Sequence, residues 1–488
     1  MRKNDTLEDW PWEHTYARLP ARCFSWVKPT PVSAPRLFIL NEALADGLGL
    51  GALRNSTPES LAAVFSGNRP PSGAEPLAMA YAGHQYGHFV VLGDGRAILL
   101  GEITDPAGNL HDIQLKGAGT TPYSRGGDGR AALGPMLREF LISEAMAALG
   151  IPTTRSLAVI ETGERVLRRE ELPGAILVRT AGSHLRVGTF ALFAALADRE
   201  SLQALLDYTL RRHYSGLTAA PNPALALLGA VVQRQADLVA QWMAVGFVHG
   251  VLNTDNVALS GETIDYGPCA FLDRYHESAV YSSIDRHGRY AYGRQPAIMG
   301  WNLARFAESL LPLIDANQPT AIARATEVLE GFGPAYTTAW IQRMGRKLGL
   351  PQARPGDKEL IEDGLALLEE HRLDFTNSFR ALSGDDNAER LHLDHPAFLA
   401  WRQRLDARIS EAGLAPAEIQ EIRDAANPRQ IPRNHAVQRA LDAAEAGDSA
   451  PFFHALSILR QPFAPAADSL FSATPRETDQ AHTTFCGT

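Results

Sequence analysis

Apolar residues fall in short strand-like runs between residues 89 and 178 and take helical spacing beyond 181. The chain therefore reads as a strand-rich segment followed by a long helical one. Phe89-Val-Val-Leu92 and Ala97-Ile-Leu-Leu100 flank Gly93-Asp-Gly-Arg96, a pattern that predicts a hairpin with a glycine tip able to approach a ligand closely. His111–Lys116 predicts the next strand, entered through the Asp105-Pro-Ala-Gly-Asn109 turn and ended by Gly117-Ala-Gly119. Ser156–Ile160 and Ala175–Val178 predict two more. Between these strands, Gly134-Pro135 to Leu149-Gly150 predicts a helix. It has Pro in its first turn, Gly at its end, and Met136, Phe140, Leu141 and Ala145 as its apolar positions.

Phe190–Arg212 and Pro223–Val245 show the spacing of buried helices and lead to His249-Gly-Val-Leu-Asn-Thr-Asp-Asn256. Val257-Ala-Leu259 and Thr263-Ile264 predict a small hairpin around Ser260-Gly261. A loop rich in Tyr, His and Arg follows over Tyr275–Arg294. Helices are then expected from Asn302 to about Leu373, near 396–424 and over 434–446. This divides the chain into an N-terminal extension packed on the small lobe (1–75), a small β-rich lobe with one Glu-bearing helix (76–181), a large, mostly helical lobe (182–470), and a loose tail (471–488).

With 45% hydrophobic and 21% charged residues the chain has the composition of an ordinary globular protein, and a net charge of −9 argues against a general nucleic-acid binder. No apolar run is long enough to span a bilayer, and Met1–Trp10 lacks the apolar region of a secretory signal, so a cytoplasmic enzyme with no membrane partner is expected. Three cysteines exclude a disulfide framework and favour a reducing compartment.

Candidate chemistry concentrates at Asn256 and Asp265, the latter opening Asp265-Tyr-Gly267. Across the expected hairpin these form a pair of hard oxygen ligands suited to Mg²⁺ or Mn²⁺ on a nucleotide triphosphate. A kinase-like site further needs a strand Lys and a helix Glu to hold it, and Lys116 and Glu139 occur in that order. Arg96, Arg179 and Arg186 supply forked cations for phosphate. Where related small-molecule kinases carry an Asp two residues after the His, Val251 stands here, and Asp255 is the nearest replacement. His84 and His88 have the spacing of a helical metal pair, but Gly83 and Gly87 argue against a helix there. His249 is expected to brace the loop.

Tyr81–Phe89, Gly93–Arg96, Gln114–Arg130, Leu137–Phe140, Val178–Ala181, His184–Phe190 and Asp265-Tyr-Gly-Pro268 together resemble the selenoprotein O family, whose members have a protein-kinase-like, pseudokinase fold. The resemblance implies an α+β, two-lobed protein. It further implies that ATP binds in inverted orientation and that AMP passes to Ser, Thr or Tyr hydroxyls of proteins, releasing pyrophosphate. By the same resemblance, Gly93, Gly95, Arg96, Lys116, Asp128, Gly129, Arg179, Arg186 and Asp265 contact ATP. Asp255 is then the catalytic base or an orienting residue, and Asn256 and Asp265 hold the metal.

The family resembled takes its name from members that carry selenocysteine near the C-terminus, and this chain has Cys486 there. A redox pair of Cys486 with Cys269 stands beside the plainer reading of a free thiol on a tail. A γ-phosphoryl-transferring kinase, UMP transfer from UTP, and a non-catalytic nucleotide-binding scaffold remain open alternatives.

Overall fold

Ile98 and Leu100 bury against one side of their strand and Leu99 against the other; Ile176, Val178 and Leu177 do the same. Strands covered on both faces read as continuous apolar runs, which is why these segments show little alternation. The computed structural model describes residues 10–384, 395–465, 469–475 and 483–484.

These strands belong to a nine-stranded antiparallel sheet in an α+β protein. Its strands are β1 (Trp12–Glu13), β2 (Phe24–Trp26), β3 (Arg36–Leu40), β4 (Leu77–Met79), β7 (Ala97–Thr104), β8 (Leu110–Lys116), β9 (Ala131–Ala132), β10 (Arg155–Leu167) and β11 (Glu171–Ala181). A separate two-stranded hairpin is formed by β5 (Ala82–Gln85) and β6 (His88–Val91). The main order is β2-β4-β7-β8-β11-β10-β3, with β1 beside β7 and β9 beside β11. One face packs against Leu61 and Phe65 of the helix Pro58–Phe65. The other packs against Leu137, Phe140 and Leu141 of the helix Leu133–Ala148 and continues into the core of the helical part.

Two expected hairpins are not formed. Phe89–Val91 pairs with β5 around a Tyr86-Gly87 turn, while Ala97–Leu100 pairs with β8, so Gly93–Arg96 is a crossing between two sheets. Periodicity located the strands, but their partners were set by a neighbouring run that was not recognised, Ala82–Gln85. Val257–Leu259 and Thr263–Ile264 likewise do not pair with each other. Ala258 bridges Arg186 and Thr263 bridges Thr153, which ties the loop to the chain on either side of β10 and β11.

The helix Pro223–Val245 has the expected bounds: Asn222 Oδ1 accepts the Leu225 N–H at 3.0 Å, and Gly246 takes a left-handed φ of 73°. Phe190–Arg212 is broken into Val187–Ala195 and Arg199–His213. Ala197 turns to φ 52°, and Asp198 caps the second helix by accepting from the Ser201 N–H at 3.0 Å. The region expected to start at Asn302 begins at Gln295, with Pro296 in its first turn, and is cut into Gln295–Ile314, Gln318–Glu330, Phe332–Leu348 and Asp357–Glu370. Helices Phe375–Leu382 and Ala450–Leu459 were not anticipated. In the expected loose tail, Thr484 is docked: it bridges Ser282, and its hydroxyl donates to the Pro268 carbonyl at 2.8 Å.

Candidate active site

Lys116 is the last residue of β8, and its ammonium donates to Glu139 Oε2 at 2.6 Å and to Asp265 Oδ1 at 2.8 Å. The β8–β11 register sets Arg179 opposite Gln114. From there the guanidinium reaches Gln114 Oε1 with Nε and Nη2, and with Nη1 reaches Asp265 Oδ1 at 2.8 Å and Glu139 Oε1 at 3.2 Å. Arg186, at the head of the helix Val187–Ala195, sits 4.3 Å over the Tyr81 ring, donates to the Asp255 carbonyl at 2.9 Å, and lies 3.6 Å from Asp265 Oδ2. Burial by itself would raise Asp265. The combined charge of Lys116, Arg179 and Arg186 nonetheless holds it well below the usual carboxylate range. Arg179 stays charged for the matching reason: burial works against its charge, and Asp265 and Glu139 more than offset it.

These groups open onto a cavity of about 460 Å³, within the range of small-molecule sites. Gly93, Gly95, Arg96, Asp128, Gly129, Asp255 and Asn256 line it as well, so every nucleotide and metal residue expected from the sequence borders one space. Arg125, Arg130 and Arg168 add further cations at the same cavity. In a chain of net charge −9 this local excess of positive charge favours an anion. Asp128 accepts from Arg168 at 2.8 and 3.1 Å and from the Arg130 N–H at 2.9 Å, so it shapes the loop. Gly129 has φ 68°, and a Cβ there would collide with the Gly119 backbone.

Asp255 is 7% exposed, and its Oδ1 has no hydrogen-bond partner among the described residues. Burial pushes the carboxyl up to about 6, helped by the charge of Asp265 and opposed by Arg186. The β5–β6 hairpin covers it: the His84 N–H donates to Thr254 Oγ1 at 2.8 Å, and Gly83 lies so close that a Cβ would strike the Asp255 carboxylate. Asn256 Nδ2 donates to the Val251 carbonyl at 2.8 Å, leaving Oδ1 as the atom available to a cation. Asn256 Oδ1 and the Asp265 carboxylate are hard donors that fit Mg²⁺ or Mn²⁺. Among the described residues no cluster of three or more His, Cys, Asp or Glu forms a protein-only metal cage.

His249 is buried and neutral; burial lowers its pKa, and its Nε2 donates to the Ile264 carbonyl at 2.9 Å. His84 and His88 lie on neighbouring strands, not on a helix, and His84 packs on Trp301. Cys269 is 1% exposed, and burial pushes its thiol up to about 12, so it remains protonated. Its expected partner Cys486 lies outside the described residues.

Sequence reasoning missed Gln114, Asp94, Asn253 and Gly83. Asp94 accepts from the Met79 N–H and from Gln114 Nε2, while Asn253 Oδ1 accepts from the Tyr290 hydroxyl and the Tyr86 N–H. Only Gln114 carried a signal, because it stands two residues before Lys116 and so on the same strand face.

A family profile described as "Protein adenylyltransferase SelO" matches residues 7–460. The chain is 54% identical over 483 residues to a "Protein nucleotidyltransferase YdiU" of Geobacillus kaustophilus, covering 98% of this chain and 99% of that one. Proteins of the same description from Anoxybacillus flavithermus and Brevibacillus brevis are 54% and 51% identical. Those matches cover 98% and 100% of this chain and 99% of each relative.

Proposed function

Since the chain belongs to the protein adenylyltransferase SelO family and is a protein nucleotidyltransferase, we propose that it transfers AMP from ATP to a Ser, Thr or Tyr hydroxyl of a protein. The hydroxyl oxygen attacks the α-phosphorus, the bond from that phosphorus to the oxygen bridging to the β-phosphate breaks, and pyrophosphate leaves. Asp255 takes the hydroxyl proton on its carboxylate, which borders the cavity. The observation that carries this role is a buried carboxylate raised to about 6, with one oxygen unpartnered among the described residues, beside a cavity crowded with cations.

Lys116, Arg96, Arg179 and Arg186 neutralise the phosphates. They are held before substrate arrives, which is the condition for electrostatic stabilisation without reorganisation. Glu139 and Gln114 orient Lys116 and Arg179 from behind. Asn256 and Asp265 hold Mg²⁺ or Mn²⁺, which when bound adds positive charge against the phosphate oxygens. Inverted binding, with the phosphates innermost, accords with Lys116, Arg179 and Arg186 being the buried cations and Arg125 an exposed one.

The test is incubation with a protein acceptor and ATP labelled at the α- or the γ-phosphate. Protein label from α-ATP alone is expected. Label from γ-ATP at comparable yield would replace this reading with kinase chemistry.

A further inference from the structure

A second cavity, of about 510 Å³, lies between the helices Phe332–Leu348 and Asp357–Glu370 and the loop that follows Asp265. Its walls are aromatic: Trp340 and Tyr336 from the first helix, Tyr275 and Tyr292 from the loop. Tyr275 stacks on Phe375 with centroids 5.8 Å apart and meets Tyr292 edge-on at 6.0 Å. The Tyr292 hydroxyl is satisfied by the Met243 carbonyl at 2.7 Å. Tyr275 is only 9% exposed, and its hydroxyl makes no hydrogen bond among the described residues. That hydroxyl opens onto the cavity and is free to accept from or donate to a group bound there.

Three carboxylates, Glu277, Glu362 and Glu369, line the same space. Burial raises the Tyr275 hydroxyl, and the charges of Glu277, Glu369 and Glu362 raise it further, so all three bear on that wall. Their counter-charges are incomplete. Lys358 pairs with Glu362 at 2.8 Å and His276 with Glu369 at 2.9 Å, while Glu277 has no ion pair among the described residues. Aromatic faces under a surplus of negative charge attract a cation by quadrupole and by Coulomb force together.

We propose that this cavity binds an organic cation, an ammonium or guanidinium group carried by a free amine or by a Lys or Arg side chain of a protein. The inference is independent of the nucleotidyl-transfer reading, since neither ATP nor the cleft at Lys116 takes part.

The experiment is calorimetric titration of the full chain, without nucleotide, against choline, N-acetyl-arginine amide, a short Arg-containing peptide, and 3,3-dimethylbutanol, the neutral isostere of choline. Saturable binding of at least one cation is expected. It should weaken about tenfold or more for the neutral isostere and for the exposed-site variant Glu277→Gln/Glu369→Gln, with unchanged melting of that variant. Tighter binding of the peptide than of the free compounds identifies a protein-borne cation, and the reverse identifies a free amine. Absence of saturable binding by any cation, equal binding of the isostere, or undiminished binding by the double variant overturns the proposal. Trp340→Leu, read by the same titration, guards against a misleading charge variant: full affinity without the indole also overturns it.

Discussion

Replacing Asp255 by Asn should abolish transfer and stabilise the fold at once. The carboxyl is 7% exposed and raised from the usual 3.8 to about 6, because burial disfavours its charge. A folded value above the unfolded one means that the ionised carboxylate costs stability. That cost is absent below about pH 4, grows between about pH 4 and 6, and is constant above. Its size at neutral pH is at most roughly 3 kcal/mol. An uncharged amide of the same shape removes it, so Asp255→Asn should raise the urea midpoint at pH 7 and the melting temperature by a few degrees, with little gain at pH 4. The wild-type transfer rate should follow the ionised fraction, falling about ninefold from pH 7 to pH 5 as that fraction drops from roughly 90% to roughly 10%. Chemical denaturation at the two pH values and a label-transfer pH profile measure both effects. A variant that keeps transfer, or one that loses it while gaining no stability at pH 7, would refute the buried-base argument.

Gly83→Ala should cut transfer at least about tenfold and destabilise by roughly 1–3 kcal/mol, because the new methyl collides with the Asp255 carboxylate; unchanged kinetics would contradict the close approach of the hairpin. Glu139→Gln should lower unfolding free energy by roughly 3 kcal/mol and weaken nucleotide binding, since Lys116 and Arg179 lose a shared buried counter-charge and keep only Asp265; urea unfolding and nucleotide titration are the readouts. Chelation with EDTA should stop transfer, with recovery on adding Mg²⁺ or Mn²⁺; full transfer in EDTA would remove Asn256 and Asp265 from metal binding.

The strands ending at Lys116 and carrying Arg179, the Glu139 helix, and the helix Pro223–Val245 were legible because each is specified locally: an apolar run between turns, or a capped amphipathic stretch. The grouping of Lys116, Glu139, Asn256 and Asp265, which the structure brings together, was suggested as well, since hard ligands and paired charges occur in a recognisable order along the chain. Pairing was not. That Phe89–Val91 joins Ala82–Gln85, and that Ala258 meets Arg186 instead of Thr263, depends on which edges are left open by the rest of the sheet. Nor does any local pattern predict that Gly83 underlies Asp255 or that Tyr290 reaches Asn253, contacts made across about 170 residues and 37 residues of chain.

The sequence by itself therefore determined most element types, the bounds of the helices Leu133–Ala148, Pro223–Val245 and Asn434–Glu445, and the candidate reactive groups, because propensity, capping and ligand hardness are properties of short segments. Only the tertiary structure decided the partners of each strand, the burial that raises Asp255 to about 6, and the convergence of Lys116, Arg179 and Arg186 on Asp265. Burial and charge proximity are properties of distance in space, and chain spacing does not encode that distance.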